Sequence, residues 1–192
     1  MDLIKLYNEL LELHGPQGWW PLNSEYHPGD YSYPKNGRQR FEICAGAILT
    51  QNTAWRNVEK ALDNLRRLDA LNPEAVLKMG IDDLAQAARP AGYFNQKARK
   101  LKEFAEFFRK LKGVPTREQL LEIWGIGPET ADSILLYAYN LPSFVVDAYT
   151  KRVIGVDKSY DEIKEMFENS LERDYRLYQE FHALIVAHAK SL

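Results

Sequence analysis

Cysteine is nearly absent: Cys44 is the only one in 192 residues. That excludes an internal disulfide framework, a multi-cysteine zinc site and an iron–sulfur cluster held by four thiolates. Long apolar runs are also missing, since nothing approaches the roughly eighteen consecutive apolar residues of a membrane helix. The N-terminal MDLIKLYNELLELHG carries acids at helical spacing, unlike a signal peptide. These absences predict a cytoplasmic protein with no membrane partner. No charge dominates either: 25 basic residues against 27 acidic ones leave −2, which excludes a globally basic nucleic-acid binder but not one with a basic face. Strand-type alternation of any length is lacking, so the expected fold is all-α.

What is present begins with a 45% apolar composition, ample for one sizeable domain or two lobes sharing a core. A stripe at Leu3, Ile4, Tyr7, Leu10 and Leu11 predicts a first helix that Gly15-Pro16 stops. Residues 17–37 have no period and many aromatics (Trp19, Trp20, Tyr26, Tyr31, Tyr33), and a loop of that length is usually functional or packed by its own side chains. Residues 38–50 read as a buried helix, interrupted at Gln51-Asn52-Thr53. Asn52 or Thr53 can cap the next helix, whose core face is Val58, Ala61, Leu62, Leu65 and Leu68. Two short helices follow Asn72-Pro73 and Ile81-Asp82. Asn95 can then cap a long helix whose outer face is basic: Lys97, Arg99, Lys100, Lys102, Arg109, Lys110 and Lys112 against Glu103 and Glu106. Such a stripe is as readily a solvated face as a binding one.

The chemistry concentrates in Thr116 to Val153. Thr116 caps a helix, Gly125-Ile126-Gly127 turns the chain, and Pro128 opens a second helix to Asn140 at the position where its missing N–H costs nothing. Two glycines before a helix leave its first-turn amides bare, and those donors with the positive end of the helix dipole suit a phosphate oxygen. By itself a Gly-x-Gly is more often an ordinary tight turn. After a short buried run, Asp147 can cap the next helix, and two more helices end the chain. His182 and His188, six residues apart, do not share a helix face well and read as surface or core residues rather than metal ligands.

The helix, Gly-Ile-Gly and helix resemble the helix–hairpin–helix of DNA repair glycosylases, with Asp147 eighteen positions beyond Glu129, close to the spacing of the endonuclease III-like branch. Ile48-Leu49-Thr50-Gln51-Asn52-Thr53 looks like the segment carrying that family's DNA-inserting glutamine, and Gly92 to Ala98 looks like its second insertion loop. The matches run in order over about residues 38 to 155.

The resemblance implies a two-lobed helical fold with a DNA-binding cleft. One lobe comprises 1–37 with 141–192, and the other comprises 38–140, carrying the hairpin motif at 116–140. It implies base flipping and cleavage of the bond between base and sugar, with Asp147 stabilising positive charge on the sugar. Gln51 and Tyr93 would fill the gap in the duplex, and Gly125, Ile126, Gly127, Thr130 and Lys151 would contact DNA. The Lys97 to Lys102 stripe is a further source of phosphate contacts, and the backbone of Leu121, Ile123 and Ile126 can hold a monovalent cation, sodium or potassium. No other cofactor is implied, and the missing cysteines remove the cluster found in many relatives. The partner is double-stranded DNA with a damaged base, bound by a monomer by default.

Members that also cut the strand carry a lysine where this chain has Glu129, so the expected enzyme is monofunctional and leaves an abasic site. Trp19-Trp20-Pro21 ahead of Phe41-Glu42 resembles a cluster-free bacterial subgroup of 3-methyladenine glycosylases, which makes Trp19, Trp20 and Phe41 base-pocket candidates. Aromatic faces attract cationic alkylated purines by about 0.5–2 kcal/mol per contact. The competing readings are a glycosylase/lyase on oxidised or mismatched pyrimidines, a non-catalytic helix–hairpin–helix DNA-binding module, and an all-α scaffold.

Overall fold

A computed structural model describes residues 2–192. Among them there are eleven α-helices and no strand beyond an isolated Leu22–Glu25 bridge. No helix among the described residues is long and apolar enough to cross a membrane. The helices are α1 (Leu3–His14), α2 (Gly37–Leu49), α3 (Trp55–Arg67), α4 (Pro73–Lys78), α5 (Ile81–Ala88), α6 (Phe94–Lys110), α7 (Arg117–Leu121), α8 (Pro128–Ser133), α9 (Ala148–Ile154), α10 (Tyr160–Ser170) and α11 (Tyr175–Ser191). Helices α3 and α6 pack on α2, α5 packs on both α3 and α6, and α4 packs on α6, while α1 and α9 pack on α11.

Helix α2 is buried along most of its length, with Phe41, Cys44, Ile48 and Leu49 fully out of water, and it packs on α3, α6, α8 and the segment that continues α8. Its apolar residues surround the whole helix, as burial on every side requires. Helix α3 is the opposite case: one apolar face of Val58, Ala61, Leu62 and Leu65 is inside and a charged face is outside. Leu68, expected on that face, is 54% exposed, because the helix ends at Arg67 and the chain turns away.

Two predicted caps move. Ala54, with no side-chain bond, precedes α3, while Asn52 takes a left-handed φ of 54° and Thr53 Oγ1 accepts from Asn57 Nδ2 instead. Helix α6 starts at Phe94, one residue before the expected Asn95, because Tyr93 reverses the chain with φ 45° and its carbonyl accepts the Lys97 N–H. The caps that carry a bonding side chain follow expectation: Thr116 with Gln119 forms a capping box on α7, and Asp147 with Thr150 does so on α9.

The second hairpin helix does not run unbroken to Asn140. After Ser133 it widens into a π segment, Ile134–Ala138, and the Leu141 N–H reaches back to the Leu135 carbonyl. Widening frees backbone acceptors that another group must satisfy. Gln179 of α11 does so, donating its amide to the Leu136 carbonyl and to Asn140 Oδ1.

Behind the hairpin, Asp132 is fully buried and accepts from Arg117 (3.0 Å), Ser143 (2.7 Å) and Tyr160 (2.8 Å), with Lys164 Nζ at 3.4 Å. A carboxylate so enclosed is tolerable only with its lone pairs met. The network joins α7, α8 and α10 to the extended run 143–146. That run is locked in turn by Phe144, stacked on Phe167 at 3.9 Å and edge-on to Tyr178 and Phe181. Asp147 thus leaves a rigid, buried segment.

Candidate active site

Asp147 stands in a cleft of about 100 Å³ whose walls include Trp19, Trp20, Trp55, Glu129, Tyr149 and His182. Its Oδ1 accepts the Thr150 N–H at 2.7 Å and the Thr150 hydroxyl at 2.9 Å, so the acid caps α9 and still faces the cleft with Oδ2. Burial disfavours its charge, but the adjacent His182 imidazole and the Thr150 donors outweigh burial and hold the carboxyl below the usual aspartate value. The site therefore keeps an anion at neutral pH.

Glu129 occupies the second position of α8 at the mouth of the same cleft. Crowding by protein atoms and then the charge of Asp147 push its carboxyl upward, while His182 opposes that shift. Solvent reaches Glu129, so the effect is screened.

The aromatic wall is assembled from distant stretches. Trp19, Trp20 and Trp55 meet edge to face, with centroids 4.7 Å apart for Trp19–Trp55 and 5.3 Å for Trp20–Trp55, and Trp20 also meets Tyr137 at 5.2 Å. The loop holding the first two is pinned by buried carboxylates on the helices. Glu180 accepts the Gln17 N–H at 2.7 Å and the Tyr31 hydroxyl at 2.6 Å, and Glu42 accepts the Asn23 N–H at 2.8 Å. Gly18 makes the fold of this loop possible, because a Cβ there would lie 2.4 Å from the Pro28 nitrogen. Phe41 corrects the predicted pocket: fully buried against Phe104 and Phe108, it belongs to the helical core and does not line the cleft. It sits on a different face of α2 from Ala47, which does line it.

At the hairpin, Gly125 has φ 83° and the Lys100 side chain lies across it. No side chain caps α8, and a shallow depression next to its start is lined by Gly125, Gly127, Glu129, Thr130, Gln51 and Tyr160. Ile126 is a second correction, since its side chain is buried and its N–H closes the hairpin on the Ile123 carbonyl at 3.0 Å, leaving no amide for DNA. The Leu121 and Ile126 carbonyls accept no hydrogen bond among the described residues and Ile123 shares one. That set of hard oxygen donors fits a sodium or potassium ion. A single buried cysteine does not fit an iron–sulfur cluster.

Gln51 reaches the hairpin directly, donating to the Gly125 carbonyl at 3.1 Å and to Thr130 Oγ1 at 3.0 Å, with Lys100 donating to its Oε1. Tyr93, 67% exposed, stands across a small hollow from Gln51, and Lys151 is exposed on α9.

The expected basic stripe is mostly spoken for. Lys97 is buried and donates to the Leu49 and Ala91 carbonyls at 2.8 and 2.7 Å, and burial with the nearby Lys100 lowers its pKa to about 8. Lys102 donates to the carbonyls of Val76, Leu77 and Met79. Both lysines cap helix ends, a use that periodicity does not reveal.

Sequence reasoning missed Trp55 and His182. A tryptophan at the start of a helix and a histidine within one carry no local mark of a cleft. His182, expected among surface or core residues, lies with Nε2 3.5 Å from Asp147 Oδ2.

An all-α helix–hairpin–helix fold with Asp147 and Glu129 in an aromatic cleft has a glycosylase-type architecture, and comparison with known proteins agrees. Residues 45–176 match the HhH-GPD superfamily base excision DNA repair protein family. A Methanocaldococcus jannaschii protein, provisionally named a DNA repair glycosylase, is 43% identical over 98% of this chain and 87% of its own length. Endonuclease III of Sulfolobus acidocaldarius is 29% identical over 80% of this chain and 74% of its own. Among solved structures, the H. pylori 3-methyladenine DNA glycosylase MagIII bound to 1,N6-ethenoadenine superimposes with a TM-score of 0.79 at 29% identity, covering 100% of this chain and 98% of its own. An endonuclease III–DNA complex shares the fold, with a TM-score of 0.75 at 19% identity over 95% of this chain and 82% of its own. The chain belongs to the HhH-GPD superfamily of base excision DNA repair proteins.

Proposed function

We propose that this protein is a monofunctional DNA glycosylase that excises an alkylated purine, such as 3-methyladenine, from double-stranded DNA and leaves an abasic site. The carrying observation is the pairing in one cleft of an ionised Asp147 with a wall of three tryptophans, while Glu129 stands at the start of α8 where strand-cutting relatives hold a lysine. The flipped base enters between the lobes, read as 1–37 with 141–192 on one side and 38–140 on the other. Its positive charge is attracted to the indole faces. Cationic bases leave readily, so the protein needs no strong general acid. The Asp147 carboxylate stabilises the charge that develops on the sugar as the bond to the base breaks, and it can orient the attacking water. Gly125, Gly127 and Thr130 grip the strand, with Gln51, Tyr93 and Lys151 beside them. A cation at the hairpin carbonyls would add positive charge facing the phosphate. A monomer of this size contains every residue named.

The likeness to the H. pylori protein, with its ethenoadenine complex, supports an adenine adduct over an oxidised pyrimidine. The test is base release from duplexes carrying 3-methyladenine, oxidised pyrimidines or mismatched thymine, with borohydride added in a parallel arm. Expected are free 3-methyladenine, a strand that breaks only on alkali treatment, and no trapped adduct. A covalent adduct would overturn the monofunctional reading, and Lys151 and the cleft-rim Lys190 are the amines to replace in that case. Release of pyrimidines alone would overturn the substrate.

A further inference from the structure

The two oxygens of Asp147 are treated differently. Oδ1 receives both Thr150 donors, whereas Oδ2 faces His182 Nε2 at 3.5 Å, and that buried nitrogen has no hydrogen-bond partner. On the far side of the ring, Nδ1 is 2.7 Å from the Tyr137 hydroxyl, which also lies 3.2 Å from the Gln179 carbonyl. The hydroxyl has one proton to give. If it goes to Gln179, a neutral His182 must donate from Nδ1, and Nε2 then turns a lone pair on a carboxylate. If it goes to Nδ1, the shorter contact, Nε2 carries the hydrogen and points it at Oδ2. Of the two neutral tautomers only the second leaves no repulsive contact, and a doubly protonated ring would aim Nε2–H at Oδ2 as well.

An imidazole N–H on Oδ2 orients the carboxylate toward the charge that develops on the sugar. At 3.5 Å the contact is longer than a full hydrogen bond, and such contacts commonly shorten when substrate fills a site.

Given the glycosylase reading above, on which this rests, we propose that His182 is a positioning residue: aimed by Tyr137, its Nε2–H fixes the cleft-facing oxygen of Asp147 toward the sugar. Glu129 and Lys190 are the other charged groups of the cleft, and neither takes the place of this donor, since one is an acceptor and the other lies exposed at the rim.

The test is single-turnover release of 3-methyladenine by the full chain, with duplex binding and thermal unfolding measured alongside. His182→Ala slows release about 10- to 100-fold, the size expected for a lost hydrogen bond to a charged group, and leaves the duplex Kd unchanged. His182→Gln, whose amide nitrogen sits where Nε2 did, recovers part of the rate. In an Asp147→Asn background, His182→Ala causes no further loss, because the residue acts only through the carboxylate. Tyr137→Phe keeps the ring and removes the aiming hydroxyl, so it slows release about fivefold. It too is silent with Asp147→Asn, which decides the matter should His182→Ala fail to fold. An unaltered rate in His182→Ala, or in Tyr137→Phe should His182→Ala fail to fold, or losses that multiply equally in both backgrounds, overturns the proposal while the glycosylase reading stands. A wild-type chain that releases no base from any lesion overturns that reading itself.

Discussion

The hairpin and the cleft lie side by side yet are built in opposite ways. The hairpin is local: Thr116, Gly125, Gly127 and Pro128 fall within thirteen residues, and each makes its turn or cap with near neighbours. The cleft is assembled from Trp19, Trp20, Trp55, Glu129, Asp147 and His182, which meet only when the loop after α1, α3, α8, the start of α9 and α11 have come together. Backbone amides that grip a repeating phosphate can come from one short motif, whereas a pocket that encloses one base needs walls on several sides.

If the hairpin only grips and the cleft only reacts, damage to each should appear in different measurements. The largest effect belongs to Asp147→Asn. Asparagine still caps α9, so folding and duplex Kd stay, while single-turnover release falls about 10²- to 10³-fold, the usual loss when a charge-stabilising group is removed. A matching fall in affinity would erase the division.

Between the two regions, Lys97 ties the end of α2 to the turn before α6. Lys97→Met leaves two buried carbonyls unmet and should lower stability in urea unfolding by about 1–3 kcal/mol. Its pH signature has a definite sign. The folded lysine titrates at about 8 and the unfolded one at 10.5, so the unfolded chain binds more protons across that window and this residue makes stability rise with pH there. Lys97→Met should flatten the rise.

Gly125→Ala puts a Cβ 2.6 Å from Lys100 Cε at a φ of 83°. A left-handed conformation costs a residue with a Cβ about 1–2 kcal/mol, so duplex Kd should weaken about tenfold while the rate at saturating DNA is unchanged. A slowed chemical step would show that hairpin and cleft are coupled, with the Gln51 bonds to Gly125 and Thr130 the obvious link.

The smallest expected effect is a flat response to acid. A carboxylate whose folded value is depressed contributes stability above its unfolded value and loses it as pH falls through the folded one. For Asp147 that loss lies below pH 3.8, so its protonation should not limit release at pH 5, as a pH–rate profile on folded protein would show.

How much could be read beforehand follows the same division. The all-α fold, the hairpin and the Thr116 and Asp147 caps were legible because helix periodicity, glycine and proline placement and capping act over a few residues. The basic stripe misled for the same reason. Charge at helical spacing looks alike whether a lysine meets solvent or, as with Lys97 and Lys102, carbonyls from a distant helix end. Phe41 looked like a pocket residue by its place in a motif, but the rotation of α2 turns it toward Phe104 and Phe108.

Thus the sequence alone determined the turn that can hold a phosphate and the acid that follows a buried run, since each depends on covalent neighbours, while the meaning of Glu129 came only from the family resemblance. Tertiary structure alone decided which aromatics wall the cleft, that Glu180 and Glu42 hold the tryptophan loop in place, and that His182 faces Asp147. The physical reason is range: capping and turn energies act within a few residues, while burial and side-chain hydrogen bonds are fixed only when elements far apart in the chain come into contact.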